Sequence, residues 1–266
     1  MMSQPDRRDE LQVKNLTVGF GSRVIQHDLS FSVRQGSIFA IMGESGCGKS
    51  TVLKAMVGLL RPVAGSIVVD GEDYWSAGHA ARVAIGRKFG VLFQSGALWS
   101  SMTVAENVAL PLQMFTKLSV AAISMLVDLK LSLVGMAAAA DSLPSELSGG
   151  MRKRAALARA LALDPKILFF DEPSAGLDPI TSKRLDDLIL ELSNGLGVTV
   201  VIVSHELPSL FAICDDGIFL DADAKTAIAR GSPRNLRDRC DHPTVRAFME
   251  RGDAHLRVNG INRYGQ

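Results

Sequence analysis

The segment IFAIMGESGCGKST, residues 38–51, contains a strand-like apolar run, a glycine-rich turn and the start of a helix in immediate succession. Gly43, Gly46 and Gly48 can adopt positive φ angles and let the main chain approach a polyphosphate, with successive N–H groups pointing at the anion. A helix that begins near Lys49 adds its positive dipole end. A glycine-rich turn that matches by chance is the alternative, but the strand before it and the helix after it favour nucleotide binding.

The same segment matches the pattern G-x-x-x-x-G-K-[ST], in which each polar side chain has its own role. Lys49 is expected to place a positive charge at the β- and γ-phosphates, and the Ser50 hydroxyl is the expected Mg²⁺ ligand. The residues predicted to hold the nucleotide are Gly43, Glu44, Ser45, Gly46, Cys47, Gly48, Lys49, Ser50 and Thr51.

The composition argues against several classes of protein. The 266 residues carry a formal net charge of +1, so no strong field attracts nucleic acid or an anionic membrane. The three cysteines, Cys47, Cys214 and Cys240, include no C-x-x-C pair, which argues against a disulfide or zinc framework and favours a reducing compartment. Residues 1–10 lack the apolar core of a signal peptide, and no run reaches the ~18–20 apolar residues of a membrane span. We therefore expect the chain in the cytoplasm.

Alternating apolar residues predict strands on both sides of the phosphate-binding segment. An edge or antiparallel strand is predicted over 11–20 and a second strand near 28–33. Further strands are predicted over 66–70 and over 87–93, the latter ending at Gln94. Phe20, at the end of the first strand, can either stack on an adenine or pack in the core, and periodicity does not separate the two.

Residues 103–140 have a helical pattern rich in Ala, Leu and Met, with predicted breaks at Pro111 and Gly135. This pattern predicts an inserted helical lobe, and its Met and Leu stripes are expected to form the core of that lobe.

A second helix start suited to an anion follows the lobe. Ser148 is a good N-cap, two glycines expose backbone N–H groups, and the run after them is strongly helical. The basic residues 152–154 are also consistent with a solvated helix face.

The stretch 166–173 reads as an apolar strand that ends in two carboxylates, Asp171 and Glu172. At the carboxyl end of a parallel strand beside a phosphate loop, Asp171 can bind the Mg²⁺ water shell and Glu172 can act as general base toward water. The alternative is a strand that ends in acids without chemistry. Another buried strand, 198–203, leads into His205, which in such a sheet would face the γ-phosphate.

Together these motifs resemble the nucleotide-binding subunit of an ATP-binding cassette (ABC) transporter, over roughly 11–231. Residues 43–51 resemble the Walker A loop, Gln94 the Q-loop glutamine and 147–151 the family signature. Residues 167–171 resemble Walker B and 174–178 the D-loop, and His205 resembles the switch histidine.

The resemblance implies that the cofactors are ATP and Mg²⁺, and that Glu172, His205 and Lys49 are catalytic. It implies further nucleotide contacts at Phe20, Gln94, Ser148, Gly149, Gly150 and Asp178. The implied metal ligands are Ser50, Gln94 and Asp171.

The fold implied by the resemblance is an α/β P-loop NTPase of the ABC ATPase type, with a RecA-like core, an antiparallel β edge and an inserted helical subdomain. It would form a single domain over 11–251, with the lobe at about 95–163. Residues 252–266 are expected to form a flexible extension, or alternatively an arm that reaches the partner subunit. Two copies would pair head to tail and act with an integral membrane permease.

Met151 departs from the glutamine that most family members carry at the end of the signature. With residues 93–98, 106–111 and 171–180, it resembles the Mla-type branch of MCE-associated phospholipid transport ATPases in Gram-negative envelopes. That branch implies an MCE substrate-binding protein, a small STAS-like accessory subunit and a peripheral position on the cytoplasmic face of the inner membrane. The alternatives are an ABC transporter ATPase for a small solute and a soluble ABC ATPase of DNA repair or translation.

Overall fold

The structure, a computed structural model, describes the backbone of residues 8–258 and the side chains of residues 8–251. The strands are β1 Asp9–Phe20, β2 Arg23–Arg34, β3 Ile38–Gly43, β4 Ala64–Val69, β5 Glu72–Asp73, β6 Phe89–Leu92, β7 Ile167–Asp171, β8 Thr199–Val203, β9 Asp216–Leu220 and β10 Ala227–Arg230. The α-helices are α1 Lys49–Met56, α2 His79–Gly86, α3 Val104–Phe115, α4 Val120–Leu133, α5 Gly149–Ala160, α6 Pro179–Leu196, α7 Leu207–Ile213, α8 Pro233–Arg239 and α9 Pro243–Val258.

The larger sheet has the strand order β10-β9-β3-β8-β7-β6. Its strands are parallel except β10, which pairs antiparallel with β9. Every residue of β3, β7 and β8 is buried, as expected for parallel strands that are covered on both faces. Because these strands run in one direction, their carboxyl ends meet at one edge of the sheet, where α/β proteins bind ligands.

Alternate residues of β3 enter different hydrophobic clusters. Phe39 and Ile41 pack with α1 and with the smaller sheet, whereas Ala40 and Met42 pack with α7 and α9. The smaller sheet has the order β2-β1-β4-β5 and is antiparallel throughout. This arrangement confirms the predicted α/β P-loop fold with an antiparallel edge.

Among the strands predicted before the lobe, β2 and β6 differ most in length from the prediction. β2 begins at Arg23, because it pairs with β1 from Phe20 onward in a tight hairpin. β6 begins only at Phe89, because α2 and the turn after it occupy the residues before that point.

The chain between β6 and β7 carries α3, α4, two short 3₁₀ turns and α5. The predicted break at Pro111 is wrong, since Pro111 lies inside α3. The helix ends instead beyond Phe115, where the Thr116 hydroxyl donates to the carbonyl of Leu112 at 2.6 Å. The predicted break at Gly135 is confirmed: this residue follows α4 with a φ of 65°.

The methionines of the lobe do not follow the predicted core stripe. Met114 is 65% exposed and Met125 is 73% exposed, whereas Leu131 and Met136 are buried. The expectation that the Met stripe forms the core is therefore wrong for the first two.

At the other end of the chain, α9 continues to Val258 and so covers the first part of the predicted extension 252–266. Residues 259–266 of that extension lie outside the described residues.

Candidate functional site

The phosphate loop connects β3 to α1 and has the backbone that its sequence predicts. Gly43, Gly46 and Gly48 have φ angles of 143°, 83° and 103°. A Cβ atom at Gly43 would lie 2.4 Å from the carbonyl oxygen of Leu220, so the close packing of this loop on β9 requires glycine there. Lys49, at the start of α1, is the first helical residue after this loop.

Lys49 is buried, and its ammonium lies within the loop. Its Nζ donates to the carbonyl oxygens of Gly43 at 2.9 Å and of Glu44 at 3.0 Å. These partners are neutral dipoles, and the first turn of α1 carries no acidic residue. A cation at a helix N-terminus fits a polyphosphate anion.

Gln26, a residue that was not predicted from the sequence, holds this loop in place through hydrogen bonds of its side chain. The side chain is fully buried in β2. Its Nε2 donates to the carbonyl of Cys47 at 2.7 Å and to the carbonyl of Asp221 at 2.8 Å. The residues around Gln26 form no pattern that indicates this contact, because its partners Cys47 and Asp221 are distant in the chain.

Ser50 and Asp171 meet at the carboxyl edge of the sheet, with the Ser50 hydroxyl donating to Oδ1 of Asp171 at 2.8 Å. Burial raises the pKa of Asp171, the hydrogen bond from Ser50 opposes this shift, and the charge of Glu172 adds to it. Hydroxyl and carboxylate oxygens are ligands that Mg²⁺ prefers. Among residues 8–251 no cluster of three or more His, Cys, Asp or Glu side chains could hold a metal, so this pair fits Mg²⁺ only as a partial shell that substrate phosphates complete.

Glu172 lies at the end of β7 in a left-handed conformation, with φ of 50°. Its carboxylate is buried and contacts two residues that follow the neighbouring strand β8. His205 Nδ1 lies 2.8 Å from Oε1, and the Ser204 hydroxyl donates to Oε2 at 3.3 Å. Two contacts from the adjacent strand therefore fix the orientation of Glu172. Ser204 was not predicted, and its position next to His205 at the strand end was the available signal.

The basic run 152–154 is only partly a solvated helix face, because Arg152 is exposed whereas Arg154 is half-buried and Lys153 is buried. Arg152 donates to the carbonyl of Leu147 at 2.6 Å, and Arg154 contacts the carbonyl of Gly135 at 3.3 Å. Lys153 is buried against the turn that follows β7. Burial lowers the pKa of Lys153, and the charge of Glu172 acts in the opposite direction.

Four of the remaining predicted residues, Ser148, Asp178, Phe20 and Gln94, are exposed near the ends of other elements, whereas Gly149 is half-buried and Gly150 is buried. A Cβ atom at Gly150 would lie 2.5 Å from Cγ2 of Thr181 in α6. Ser148 caps α5 by accepting from the Met151 N–H at 3.3 Å. Asp178 caps α6 by accepting from the Ile180 and Thr181 N–H groups at 3.0 Å each, and the Thr181 hydrogen bond lowers its pKa. The predicted contacts of Ser148 and Asp178 with a nucleotide would therefore form only when a nucleotide is bound, in this subunit or between two subunits.

Phe20 and Gln94 are exposed at the ends of β1 and β6. Phe20 is 55% exposed, which rules out the core-packing alternative and leaves its ring free to stack.

Comparisons with known proteins agree with this geometry. A family model described as "ABC transporter" matches residues 26–175. The "Intermembrane phospholipid transport system ATP-binding protein MlaF" of Escherichia coli K12 is 43% identical over 240 residues, which is 90% of this chain and 88% of that protein. The protein of the same name from Haemophilus influenzae is 41% identical over 247 residues, 93% of either chain. The "Probable ribonucleotide transport ATP-binding protein mkl" of Mycobacterium leprae is 40% identical over 239 residues, 90% of this chain and 68% of that one.

Solved structures show the same architecture. The dimeric post-hydrolysis state of the ATP-binding cassette MJ0796 bound to ADP and Pi aligns with a TM-score of 0.75 and 28% identity, over 83% of this chain and 97% of that one. The cbiO1 protein of Clostridium perfringens, part of the ABC transporter complex cbiONQ, aligns with a TM-score of 0.79 and 26% identity, over 95% and 99%. The family model spans more than half of the chain and the relatives match about nine-tenths of it. The chain therefore belongs to the ABC transporter family, as one of its ATP-hydrolysing subunits.

Proposed function

We propose that this ABC ATPase energises the movement of phospholipids between the inner and outer membranes of a Gram-negative envelope. The observation that carries this proposal is the 41–43% identity, over about nine-tenths of the chain, to proteins named for intermembrane phospholipid transport. A second candidate is a water-soluble cargo, since a relative with 40% identity is named for ribonucleotide transport.

The residues at the sheet edge have distinct roles in ATP hydrolysis under this proposal. Ser50 and Asp171 hold Mg²⁺, which neutralises charge on the β- and γ-phosphates when it is bound. Lys49 binds the same phosphates from inside the loop. Glu172 accepts a proton from the attacking water as general base, and the contacts with Ser204 and His205 hold its carboxylate in one orientation.

The exposed helix start at Ser148 supports a head-to-tail homodimer. Residues 148–150 offer a helix N-terminus, which fits the γ-phosphate of an ATP bound to the partner subunit. Phe20, Gln94 and Asp178 would complete the nucleotide site, with Gln94 also a proposed ligand of Mg²⁺. Solved cassettes of similar fold form dimers, which supports the same arrangement here.

A groove of about 600 Å³ between α2, β6 and the end of α3 is the proposed docking site for the permease. Aromatic side chains line it, among them Tyr74 and Phe115, together with the cations Arg82 and Arg87. The guanidinium of Arg87 lies 5.4 Å from the ring centre of Phe115. An amphipathic helix of an integral membrane partner fits such a mixed surface. From the sequence we expect the docking groove for a coupling helix of the permease at Gln94 and residues 95–111, but of these only Pro111 lines the groove described here.

This docking would place the chain at the cytoplasmic face of the inner membrane as a peripheral subunit. No helix within residues 8–258 combines the length and the apolar character that a bilayer span requires. We propose an MCE substrate-binding protein and a small STAS-like subunit as the other members of the complex. We do not propose nucleic acid as a partner, because the net charge is only +1.

The test is a transfer assay with the co-expressed complex of this ATPase and its permease in vesicles. Labelled phospholipid should move between vesicles in the presence of ATP. Transfer should stop with Glu172→Gln, which keeps the size of the side chain but removes the base and should slow hydrolysis by about 10²–10⁴-fold. If the complex moves labelled ribonucleotides and leaves phospholipids in place, the lipid proposal is wrong although the family assignment remains. If Glu172→Gln hydrolyses ATP at the parental rate, the proposed base is wrong.

A further inference from the structure

Lys153 carries a buried ammonium group whose hydrogen-bond partners are backbone carbonyls. Its side chain is 6% exposed in α5. The Nζ atom donates to the carbonyl of Glu172 at 3.3 Å, to that of Ala175 at 2.7 Å and to that of Pro173. Because an ammonium has three donors, three carbonyls satisfy it fully. A buried charge is costly unless it is hydrogen-bonded in this way, so the side chain is held in one position.

The three carbonyls belong to the turn that places Glu172. This residue has a φ of 50°, a region that residues other than glycine rarely adopt. The Ala175 N–H donates back to the carbonyl of Glu172 at 3.2 Å and closes the turn. Lys153 of α5 therefore contacts the backbone of the turn, whereas Ser204 and His205, which follow β8, contact the carboxylate of Glu172.

The same helix begins at the signature, since Ser148 is the N-cap of α5 and lies one and a half turns before Lys153. We propose that Lys153 is a positioning residue for ATP hydrolysis, which ties the signature helix to the turn 172–175 and holds Glu172 toward the attacking water. A nucleotide that binds at residues 148–150 then affects the position of Glu172 through α5, which carries Lys153. The inference rests on the proposed role of Glu172.

The first test is the Lys153→Met variant, which keeps the length of the stem and removes all three donors. The expected result is a kcat lower by about 10–100-fold, because small misplacements of catalytic groups cost rates of this order, with a KM for ATP within about three-fold of the parent. Lys130→Met is the matched control. Lys130 is also a buried ammonium, in an ion pair with Asp164 in the lobe, so this variant should lose similar stability and keep its kcat.

The second test combines the change with Glu172→Gln. If Lys153 acts through Glu172, the double variant should hydrolyse ATP in single turnovers no more slowly than Glu172→Gln alone. Lys153→Gln, which retains two donors, should recover part of the lost kcat. If Lys153→Met does not fold, Lys153→Gln takes its place in both comparisons.

Three results would overturn the inference. These are an unchanged kcat, a loss of kcat equal to that of Lys130→Met, and a further slowing in the double variant. Parental hydrolysis by Glu172→Gln alone would instead overturn the proposed base, so the two failures are distinguishable.

Discussion

Replacing Asp186 by Asn should stabilise the protein at neutral pH. Asp186 lies on α6, is 7% exposed, and accepts a hydrogen bond from the Ser209 hydroxyl of α7 at 2.7 Å. Burial raises the pKa of its carboxyl to about 6, the hydrogen bond from Ser209 opposes this, and the charge of Asp187 adds to it. The carboxyl is therefore more easily protonated in the folded protein than in the unfolded chain.

The sign of the pH dependence follows from this shift. Below about pH 4 the carboxyl is protonated in both states and costs no stability. Between about pH 4 and the folded pKa of about 6, the folded state keeps a proton that the unfolded state releases, so stability falls as the pH rises. Above that window the cost is complete, and a shift of about two pKa units corresponds to about 2–3 kcal/mol.

Asn cannot ionise, but its side-chain oxygen still accepts the hydrogen bond from Ser209. We expect Asp186→Asn to raise the Tm by about 5–10 °C at pH 7.5, with a difference that shrinks toward pH 4.5. Asp187→Asn is the comparison on the same helix and should change the Tm by less, because Asp187 is 53% exposed in an ion pair with Lys183, such pairs contribute at most about 1 kcal/mol, and its charge is a smaller cause of the raised pKa of Asp186 than burial is. Thermal unfolding of the three proteins at both pH values is the measurement. A gain in Tm that does not depend on pH, or a loss at pH 7.5, would show that the buried charge of Asp186 does not destabilise the protein.

Three further predictions concern the nucleotide site. Gln26→Leu leaves the buried carbonyl of Cys47 without its donor, so the free energy of unfolding should fall by about 1–3 kcal/mol. Calorimetry should show a weaker affinity for ATP, and an unchanged affinity would show that the loop keeps its shape without the amide. Phe20→Ala should weaken ATP binding by about 5–150-fold if stacking contributes about 1–3 kcal/mol, whereas equal affinity for ATP and for triphosphate alone in the parent would contradict stacking. Mixed dimers of Lys49→Ala and Ser148→Arg subunits should recover some of the ATPase activity that both homodimers lack, and full activity of Ser148→Arg alone would contradict the composite site.

The sequence alone determined those parts of the site that lie in consecutive residues. Glycines before Lys49, and acids directly after an apolar strand, specify the backbone shape and the chemical groups together. The positions of Ser50, Asp171 and Glu172 at one edge followed from the rule that parallel strands end together. Element type was predictable for the same reason, since periodicity is a local property.

Element ends were predicted less well, because tertiary contacts decide them. Pro111 stays inside α3, whose residues Val108 and Leu112 are buried in the lobe. Packing of this kind overrides local propensity. β2 is longer than its pattern suggested because β1 supplies a partner as far as Arg23.

Contacts between side chains that are distant in the chain could not be predicted from the sequence, because they depend on how the elements pack. Ser204 and His205 contact Glu172 because β8 lies next to β7 in the sheet, and strand order cannot be obtained from the strands one at a time. Lys153 and Arg154 are neighbours in a basic run, but the rotation of α5 buries the first against the turn after β7 and directs the second to the helical lobe. The sequence specifies the residue types, whereas the packing of one element on another fixes the distances between them, and catalysis depends on those distances.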